Sequence, residues 1–304
     1  MVDVATLFEV VVTGIGLGAV YALVAIGFSL IYKVTGVLNF AQGQLALLGA
    51  YLVVVLSTPL LISLELPAAA AVVVTLVFGL VLGVVLERVI FRHFIGEPVL
   101  SVIIVTLALG GIITGGLRFL IGPQYRAYPD ALRPGWSLSL PFGVDLSASF
   151  TLGVALSLVV VVALMLFFRY TVVGSILRAG ASDQQAAMVL GISIERTILL
   201  AWALSISITS IGGLLFAMSA GGAGFTIEAV GILIFAAVVF GGLDSIPGAF
   251  IGSLVVGLLQ QLGAFYAEPV VGPGVGQVLP MMFLLVVILV KPYGLFGTER
   301  IERL

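Results

Sequence analysis

The sequence predicts an all-α fold: a polytopic transmembrane helical bundle of eight or nine spans, forming a single domain over residues 1–304. Composition is the first reason, because 62% of the residues are hydrophobic and 9% are charged, with a mean hydropathy of +1.34. Soluble domains carry about 25% charged residues. The second reason is the recurrence of apolar stretches long enough to cross about 30 Å of hydrocarbon. The third is one polar interval, 170–194, which predicts a short extramembrane helix between two of them.

The residue types that carry most enzyme chemistry are scarce. The chain has no cysteine, which excludes thiol nucleophiles, disulfides and cysteine-bound metal. Its single histidine, His93, lies beside arginines in a predicted loop. The net charge of −2 does not indicate the basic surface that nucleic-acid binding requires. We therefore expect no enzyme activity, no catalytic residue, no metal site, no cofactor and no nucleic-acid partner. The start, MVDVATLFEV, lacks a basic n-region and predicts no cleavable signal peptide.

Nine apolar stretches are candidate spans. They cover residues 8–32, 38–57, 66–87, 99–120, 148–169, 195–219, 226–243, 246–265 and 276–291. The second and the seventh are glycine-rich or short, so either is compatible with a broken or re-entrant helix. The sequence therefore predicts eight or nine spans.

Lysine and arginine indicate the orientation, because cytoplasmic loops carry an excess of both. With nine spans and the 170–194 interval inside, the cytoplasmic set is much larger than the outside set. Inside lie Lys33, Arg88, Arg92, Arg169, Arg178, Arg196, Lys291, Arg300 and Arg303, outside lie Arg126 and Arg133, and Arg118 falls near an outer helix end. The bias predicts an outside N-terminus and a cytoplasmic C-terminus.

Three amides follow the first span within six residues of an otherwise apolar run: Asn39, Gln42 and Gln44. Amides in a membrane are costly unless they are hydrogen-bonded inside the bundle or line a wet path. Both interpretations stay open for these residues. The first span itself carries Gly14, Gly16, Gly18 and Gly27, which predict close helix packing.

The longest predicted extramembrane segment is 122–146, on the outside. Its prolines, at 123, 129, 134 and 141, predict an irregular loop, and residues 221–224, Gly-Gly-Ala-Gly, predict a flexible outside turn. Glu228 follows near the outer end of the seventh span. It either caps that helix, whose first turn favours a negative charge, or places a charge at the entrance of a solute path.

The polar interval contains helix signals. Ser182 followed by Gln185 forms a capping-box pattern, Asp183 lies in the first turn, and Gly191 can end the helix. We expect a helix of about two turns, Asp183 to Leu190, whose Ala186, Ala187 and Leu190 make a low apolar face for another protein. The alternative is a helix that lies on the membrane surface or packs on its own bundle.

The distribution of charge also constrains how the protein is energised. Ion-coupled transporters need buried carboxylates or histidines, whereas every Asp and Glu here falls at a span end, in a loop or at a terminus. No phosphate-binding G-x-x-x-x-G-K-[ST] loop is present. Serines 205 and 207 in the sixth span are spaced by two, so they face different sides and favour packing over a pore lining. Energy must come from a partner, unless the chain is a facilitator or a structural subunit.

Four segments resemble one family. Arg178-Ala179, Asp183, Ala186-Ala187 and Gly191-Ile192 look like the cytoplasmic coupling loop of ABC-importer permeases of the branched-chain (hydrophobic) amino-acid LivH/LivM type. The amide segment 36–51, the G-G-x-x-S-x-x-G segment 241–249 and the closing Lys-Pro-Tyr-Gly-Leu-Phe-Gly at 291–297 are similar to segments of the same family. Gln44 departs from it, because the family more often has a carboxylate there.

The resemblance implies a membrane permease subunit of an ABC importer in the cell inner membrane. It implies a heterodimer with a second permease, two cytoplasmic ATPase subunits that hydrolyse ATP, and an outside solute-binding protein. The coupling residues would be Arg178, Ala179, Asp183, Ala186, Ala187 and Gly191, with Asn39, Gln42, Gln44 and Glu228 as candidates for the translocation pathway. The substrate expected is a branched-chain or other small hydrophobic amino acid, with urea or a short amide as the alternative.

Overall fold

The computed structural model describes residues 4–57, 67–132, 135–182 and 184–297, without the side chains of residues 68, 131, 181, 182 and 184–186. It is a helical bundle. Its helices are α1 (Val4–Thr35), α2 (Gln42–Ser57), α3 (Ala68–Val89), α4 (Val99–Ile121), α5 (Ala148–Tyr170), α6 (Val172–Ser182), α7 (Gln184–Val189), α8 (Ile194–Ser219), α9 (Thr226–Gly241), α10 (Ile246–Leu262), α11 (Glu268–Val271) and α12 (Val275–Val290). A π-helical turn, Gly263–Ala267, joins α10 to α11.

Helix length divides the apolar helices into two groups. In the described part of the chain, six are long and apolar enough to cross a membrane: α1, α3, α4, α5, α8 and the joined α10–α11. The helices α2, α9 and α12 have 16 residues each, or about 24 Å at 1.5 Å per residue, less than a 30 Å hydrocarbon core. The all-α, polytopic prediction is confirmed, and so is the shortness of the second and seventh candidate spans.

The second helix begins later than the sequence indicated. Residues 38–41 were expected to be helical, but α2 starts at Gln42. The side chain of Asn39 accepts a hydrogen bond from the backbone N–H of Ala41 at 3.1 Å, a turn that competes with helix. Gly36, at φ +70°, turns the chain just after α1. The first two amides therefore lie at a turn beside the helix start.

The helix α8 lies at the centre of the bundle and is bonded to three neighbours. Ser205 Oγ donates to the carbonyl oxygen of Gly27 in α1 at 2.6 Å, and Ser207 Oγ donates to that of Leu76 in α3 at 2.8 Å. Thr209 Oγ1 accepts from Gln42 in α2. The expectation that these hydroxyls pack helices on different sides of α8 is confirmed.

Glycines bring α1 and α10 together. A Cβ atom on Gly18 would lie 2.6 Å from the carbonyl oxygen of Ser253, and one on Gly14 would lie 2.9 Å from Leu258 Cα. Both distances are too short for a side chain, so the two backbones touch directly. The packing role predicted for the glycines of the first span is confirmed at these two positions.

The predicted irregular loop contains strands, which corrects the expectation for 122–146 and 221–224. The strands are β1 (Arg126–Ala127), β2 (Ser137–Leu140), β3 (Val144–Ser147) and β4 (Gly222–Ala223). In antiparallel register, β1 pairs with β4 and β2 pairs with β3. Pro141 does not break the hairpin because it stands in its turn, where Phe142 and Gly143 adopt φ of +64° and +75°. Residues 221–224, which were expected to form a flexible turn, contain β4 and are hydrogen-bonded to β1.

The two ends of the bundle contain different groups of loops. One end holds the β1–β4 pair. At the other, Lys33 Nζ donates to the carbonyl oxygen of Asp244 at 3.0 Å, and Arg92 lies 3.7 Å from Glu195. The closing segment also lies at this second end, where the N–H groups of Leu295 and Phe296 donate to the carbonyl oxygens of residues 240 and 241. Backbone hydrogen bonds thus anchor the closing segment to the end of α9.

Candidate functional site

The polar interval forms two helices instead of one. Its first part, expected as a loop, is helix α6, which starts where Thr171 Oγ1 accepts from the N–H of Gly174 at 2.9 Å. The helix forms because it is amphipathic, with Leu177 buried against the bundle. Ser182 therefore ends α6, where the sequence indicated the cap of a new helix. Asp183 lies outside the described residues.

The end of α7 agrees with the prediction for Gly191. The N–H of Gly191 donates to the carbonyl oxygen of Met188 at 2.9 Å, and that of Ile192 donates to Ala187 at 3.0 Å. With Gly191 at φ +79°, this is the Schellman arrangement that satisfies the last carbonyls of a helix. A left-handed residue at this position disfavours any side chain, so Gly191 fixes where α7 stops.

The face that α7 presents differs from the predicted one. Ala187 is 2% exposed, so its methyl group is packed against the chain's own bundle and another protein cannot contact it. Met188 and Leu190 are exposed, and Val189 is 88% exposed. We call these three side chains, Met188, Val189 and Leu190, the α7 tip. Of the three residues predicted to make the docking face, Leu190 is exposed, Ala187 is buried, and the side chain of Ala186 is outside the description.

Arg178 lies on the exposed side of α6, where its Nη2 donates to Ser175 Oγ at 3.2 Å. Ala179 beside it is half-buried. The 170–194 interval therefore exposes both a guanidinium group and an apolar tip, a combination of charge and hydrophobic area that is typical of protein interfaces.

Ionic contacts continue from α7 into the bundle. Ser193 Oγ accepts from the N–H of Arg196 and caps α8. In the first turn of α8, Glu195 lies 3.7 Å from Arg92, and Arg92 Nε lies 3.5 Å from Glu87 Oε1 at the end of α3. The side chain of Glu87 is fully buried. The sequence indicated a span end for Glu87 and missed this link, because only the fold brings residues 92 and 195 together.

Two of the pathway amides are hydrogen-bonded inside the bundle. Asn39 Nδ2 donates to Gln42 Oε1 at 2.8 Å, and Gln42 Nε2 donates to the carbonyl oxygen of Val24 at 3.4 Å and to Thr209 Oγ1. Both side chains are buried. The amides were expected either to form hydrogen bonds inside the bundle or to line a wet path. The geometry of Asn39 and Gln42 favours the first, because their hydrogen bonds join α1, α2 and α8.

Gln44 lies differently, on the side of α2 that faces α4. A Cβ atom on Gly110 would lie 3.2 Å from Gln44 Cδ. Gln44 Oε1 is buried and has no hydrogen-bond partner among the described residues. A buried acceptor without a donor is costly, so this amide oxygen marks a place where a donor from another molecule would be stabilised.

Glu228 lies in the first turn of α9, as predicted, but its carboxylate reaches across to α4. One oxygen, Oε2, accepts from Thr114 Oγ1 at 2.8 Å, and the other lies 3.2 Å from Arg118 Nη2. The guanidinium group of Arg118 also lies 4.8 Å from the centre of the Phe225 ring. Glu228 is therefore half of an ion pair joining α4 and α9, and the sequence-based prediction did not identify Arg118 as its partner.

These observations agree with a comparison against protein families. A family described as the permease component of branched-chain amino acid transport systems matches residues 10–290. The chain belongs to this permease family. No solved structure gives a significant match.

Curated relatives match along almost their whole length. The permease is 29% identical over 299 residues to the high-affinity branched-chain amino acid transport system permease protein LivH of Escherichia coli, covering 95% of each chain. It is 29% identical over 303 residues to BraD of Pseudomonas aeruginosa, covering 96% of each. It is 30% identical over 285 residues to a probable LivH of Methanocaldococcus jannaschii, covering 91% of this chain and 88% of the relative.

Proposed function

We propose that this chain is the transmembrane subunit of an ABC importer that moves branched-chain or other small hydrophobic amino acids across the inner membrane. Family membership over residues 10–290 and relatives matched from end to end support the transport role. The substrate named for those relatives, branched-chain amino acids, supports the substrate class. ATP hydrolysis belongs to partner subunits in this proposal, which agrees with the lack of a P-loop in the sequence.

The observation that carries the proposal is the α7 tip. Three consecutive apolar side chains, at 188–190, are exposed at the bundle end that also holds the Arg92–Glu195 contact, and Arg178 is exposed on the preceding helix, α6. Contiguous exposed apolar surface on a folded protein marks an interaction site. The fitting partner is a soluble ATPase with an apolar groove, and Gly191 leaves the rim of the tip without a side chain.

We propose that the six long and the three shorter apolar helices all cross the membrane, giving nine spans in one permease domain. The N-terminus would then lie outside and the C-terminus in the cytoplasm, on the side of the α7 tip. The distribution of lysine and arginine supports this orientation. Helices of about 24 Å can span where neighbours bury their ends or where the bilayer thins.

The proposed assembly contains a second permease, two cytoplasmic ATPases and an outside binding protein that docks on the β2–β3 side. When the ATPases close, they would push the α7 tip, and the other coupling residues that the family resemblance implies are Arg178, Ala179, Asp183, Ala186 and Gly191. The movement passes to α8 through the capped turn at Ser193 and to α3 through Arg92. Solute would cross on the side of the bundle that holds Gln44 and Glu228.

Reconstitution of the complete importer tests the proposal. Proteoliposomes that contain this permease and its partners should accumulate labelled leucine, isoleucine or valine only when ATP and the binding protein are present. ATP-independent uptake by the permease alone would overturn the proposal in favour of a facilitator. Uptake of labelled urea or acetamide, with no uptake of the amino acids, would overturn the substrate class while leaving the transport role intact.

A further inference from the structure

We propose that Arg118, Glu228 and Gln44 form a recognition site for the zwitterionic head group of the transported amino acid. The solute carboxylate would bind Arg118, and its ammonium group would bind Glu228 and the carbonyl oxygen of Gln44. This inference rests on the proposed function, because it presumes that the solute is an amino acid.

The geometry places the three groups along one face of α4. Gly110, Thr114 and Arg118 recur every four residues, so they share that face. Gln44 lies against Gly110, Thr114 donates to Glu228, and Arg118 pairs with Glu228. The positions on α4 that carry or contact these groups therefore span eight residues, roughly 12 Å along the helix axis.

The charged pair of the site is accessible from the surface of the chain. The Arg118 side chain is 52% exposed and that of Glu228 is 26% exposed. An ion pair that is partly exposed contributes little to stability, so a ligand can separate it at low cost. Ionisable residues inside or at the ends of membrane spans mark solute pathways in transport proteins.

A zwitterion matches the pair by charge and by hydrogen bonds. The carboxylate can take both parallel N–H donors of the guanidinium group. An ammonium group has three N–H donors, more than one carboxylate oxygen accepts. Gln44 Oε1, which lies against the same face of α4, is an acceptor that has no hydrogen-bond partner among the described residues. One ion pair is exchanged for two and the net charge of the site stays zero, so no coupling ion is required.

The surroundings favour an apolar side chain on the solute. Glu228, Ile232 and Phe235 share one face of α9 because they are spaced by four and three residues. Ile232 is 65% exposed, and the Phe235 ring lies 5.8 Å from the Phe40 ring, which is also partly exposed. A solute held by its head group at Glu228 would lay its side chain along these apolar residues.

The test uses the complete importer in proteoliposomes and measures leucine molecules moved per ATP hydrolysed. Glu228→Gln and Arg118→Gln should each lower that ratio at least tenfold. The ATPase rate of each variant, measured with substrate-loaded binding protein, should stay within twofold of the wild-type rate. The matched control is Glu97→Gln, an exposed carboxylate in the short segment between α3 and α4, and it should keep the wild-type ratio. Assembly is checked by size-exclusion chromatography.

Two further variants separate recognition from a structural bridge. The exchange of charges, Arg118→Glu with Glu228→Arg, would restore a bridge but should leave the ratio below a tenth of wild type, because the solute would meet its head-group partners in reverse. Arg118→Lys keeps the charge and should retain more activity than Arg118→Gln.

Wild-type ratios in the neutral variants, or restoration by the exchange, would overturn the site. If the wild-type importer moves no amino acid, the proposed function fails as well. If the wild type moves leucine and the variants do too, only this site fails.

Discussion

At the scale of single residues, Gln42 is the strongest test of the packing interpretation. Its amide makes hydrogen bonds to Asn39, Val24 and Thr209. Such bonds average about 0.6 kcal/mol each in membrane bundles, so Gln42→Leu should lower the free energy of unfolding by roughly 1–2 kcal/mol. Thermal unfolding in detergent measures the effect, with the exposed Gln277→Ala as control. A wild-type melting temperature together with lost uptake would instead place Gln42 in the solute path.

Tyr128 gives a prediction about pH. It lies in the segment between α4 and α5, where its hydroxyl donates to the carbonyl oxygen of Ala50 at 2.6 Å, and burial raises its pKa well above 10.0. Because the unfolded chain loses this proton first, the stabilisation is complete below pH 10 and falls as pH rises toward the folded pKa. Tyr128→Phe should remove part of the alkaline loss. Equal slopes of stability against pH above 10 in both proteins would contradict this.

Individual residues were predictable where the chemistry is local. Gly191 follows from its helix-stop signal, and the serines of α8 follow from their spacing. The partners of Gln42, the Arg118–Glu228 pair and the Arg92 contacts were not predictable, because each joins helices that are distant in sequence. The burial of Ala187 was missed for the same reason, since one helix turn alone does not indicate which face meets the bundle.

At the scale of elements, the α7 tip should decide whether the ATPases are coupled. Val189→Arg places a charge at the most exposed position of the tip and should lower ATP-driven uptake at least tenfold, about 1.4 kcal/mol. Val189→Thr keeps the branched shape and is the matched control. Retained uptake in the arginine variant, with both proteins in the membrane at equal levels, would mean that the ATPases dock elsewhere.

The buried position of Ala187 changes what its substitution can test. Ala187→Arg forces a cation into packed helix and should stop transport through misfolding, so it does not probe docking. Measurement of expression level and melting temperature should show both reduced. An Ala187→Arg protein of normal stability would show that this face is open to a partner after all.

Element boundaries followed from hydrophobic runs in most of the chain. Helices α4, α5 and α8 begin and end within one residue of the predicted spans. The short strands did not follow, because β1 pairs with β4 across about 95 residues of chain, a contact that local patterns cannot encode. Helix α6 was not predicted, because its glycines and other small residues were interpreted as a loop.

At the scale of the whole molecule, Arg92 links the cytoplasmic ends of α3 and α8 under the proposed orientation. Arg92→Gln leaves the buried Glu87 without its cation, which should lower the melting temperature. Adding Glu87→Gln removes the buried charge and should restore stability, while the leucine moved per ATP stays low in both variants because the link is broken. A normal ratio in the stable double variant would show that movement passes by another route.

The architecture as a whole was predictable from composition and from the segments that resemble the family. Apolar segments long enough to cross a membrane are compatible with few folds, because every backbone polar group must be hydrogen-bonded within the protein. Contact between two of those segments, 241–249 and 291–297, was not predicted. In the structure they meet through backbone hydrogen bonds and through Gly242, at φ +105°, which touches the backbone of Gly297.

The most direct test of the central claim is purification of this chain from its native membrane in a gentle detergent, with identification of the proteins that accompany it. The proposal predicts two P-loop ATPases and a second permease in the complex, and their loss in the Val189→Arg variant. Recovery of the chain alone or only with copies of itself, while it still carries amino acids, would contradict an ATP-driven importer and leave a facilitator.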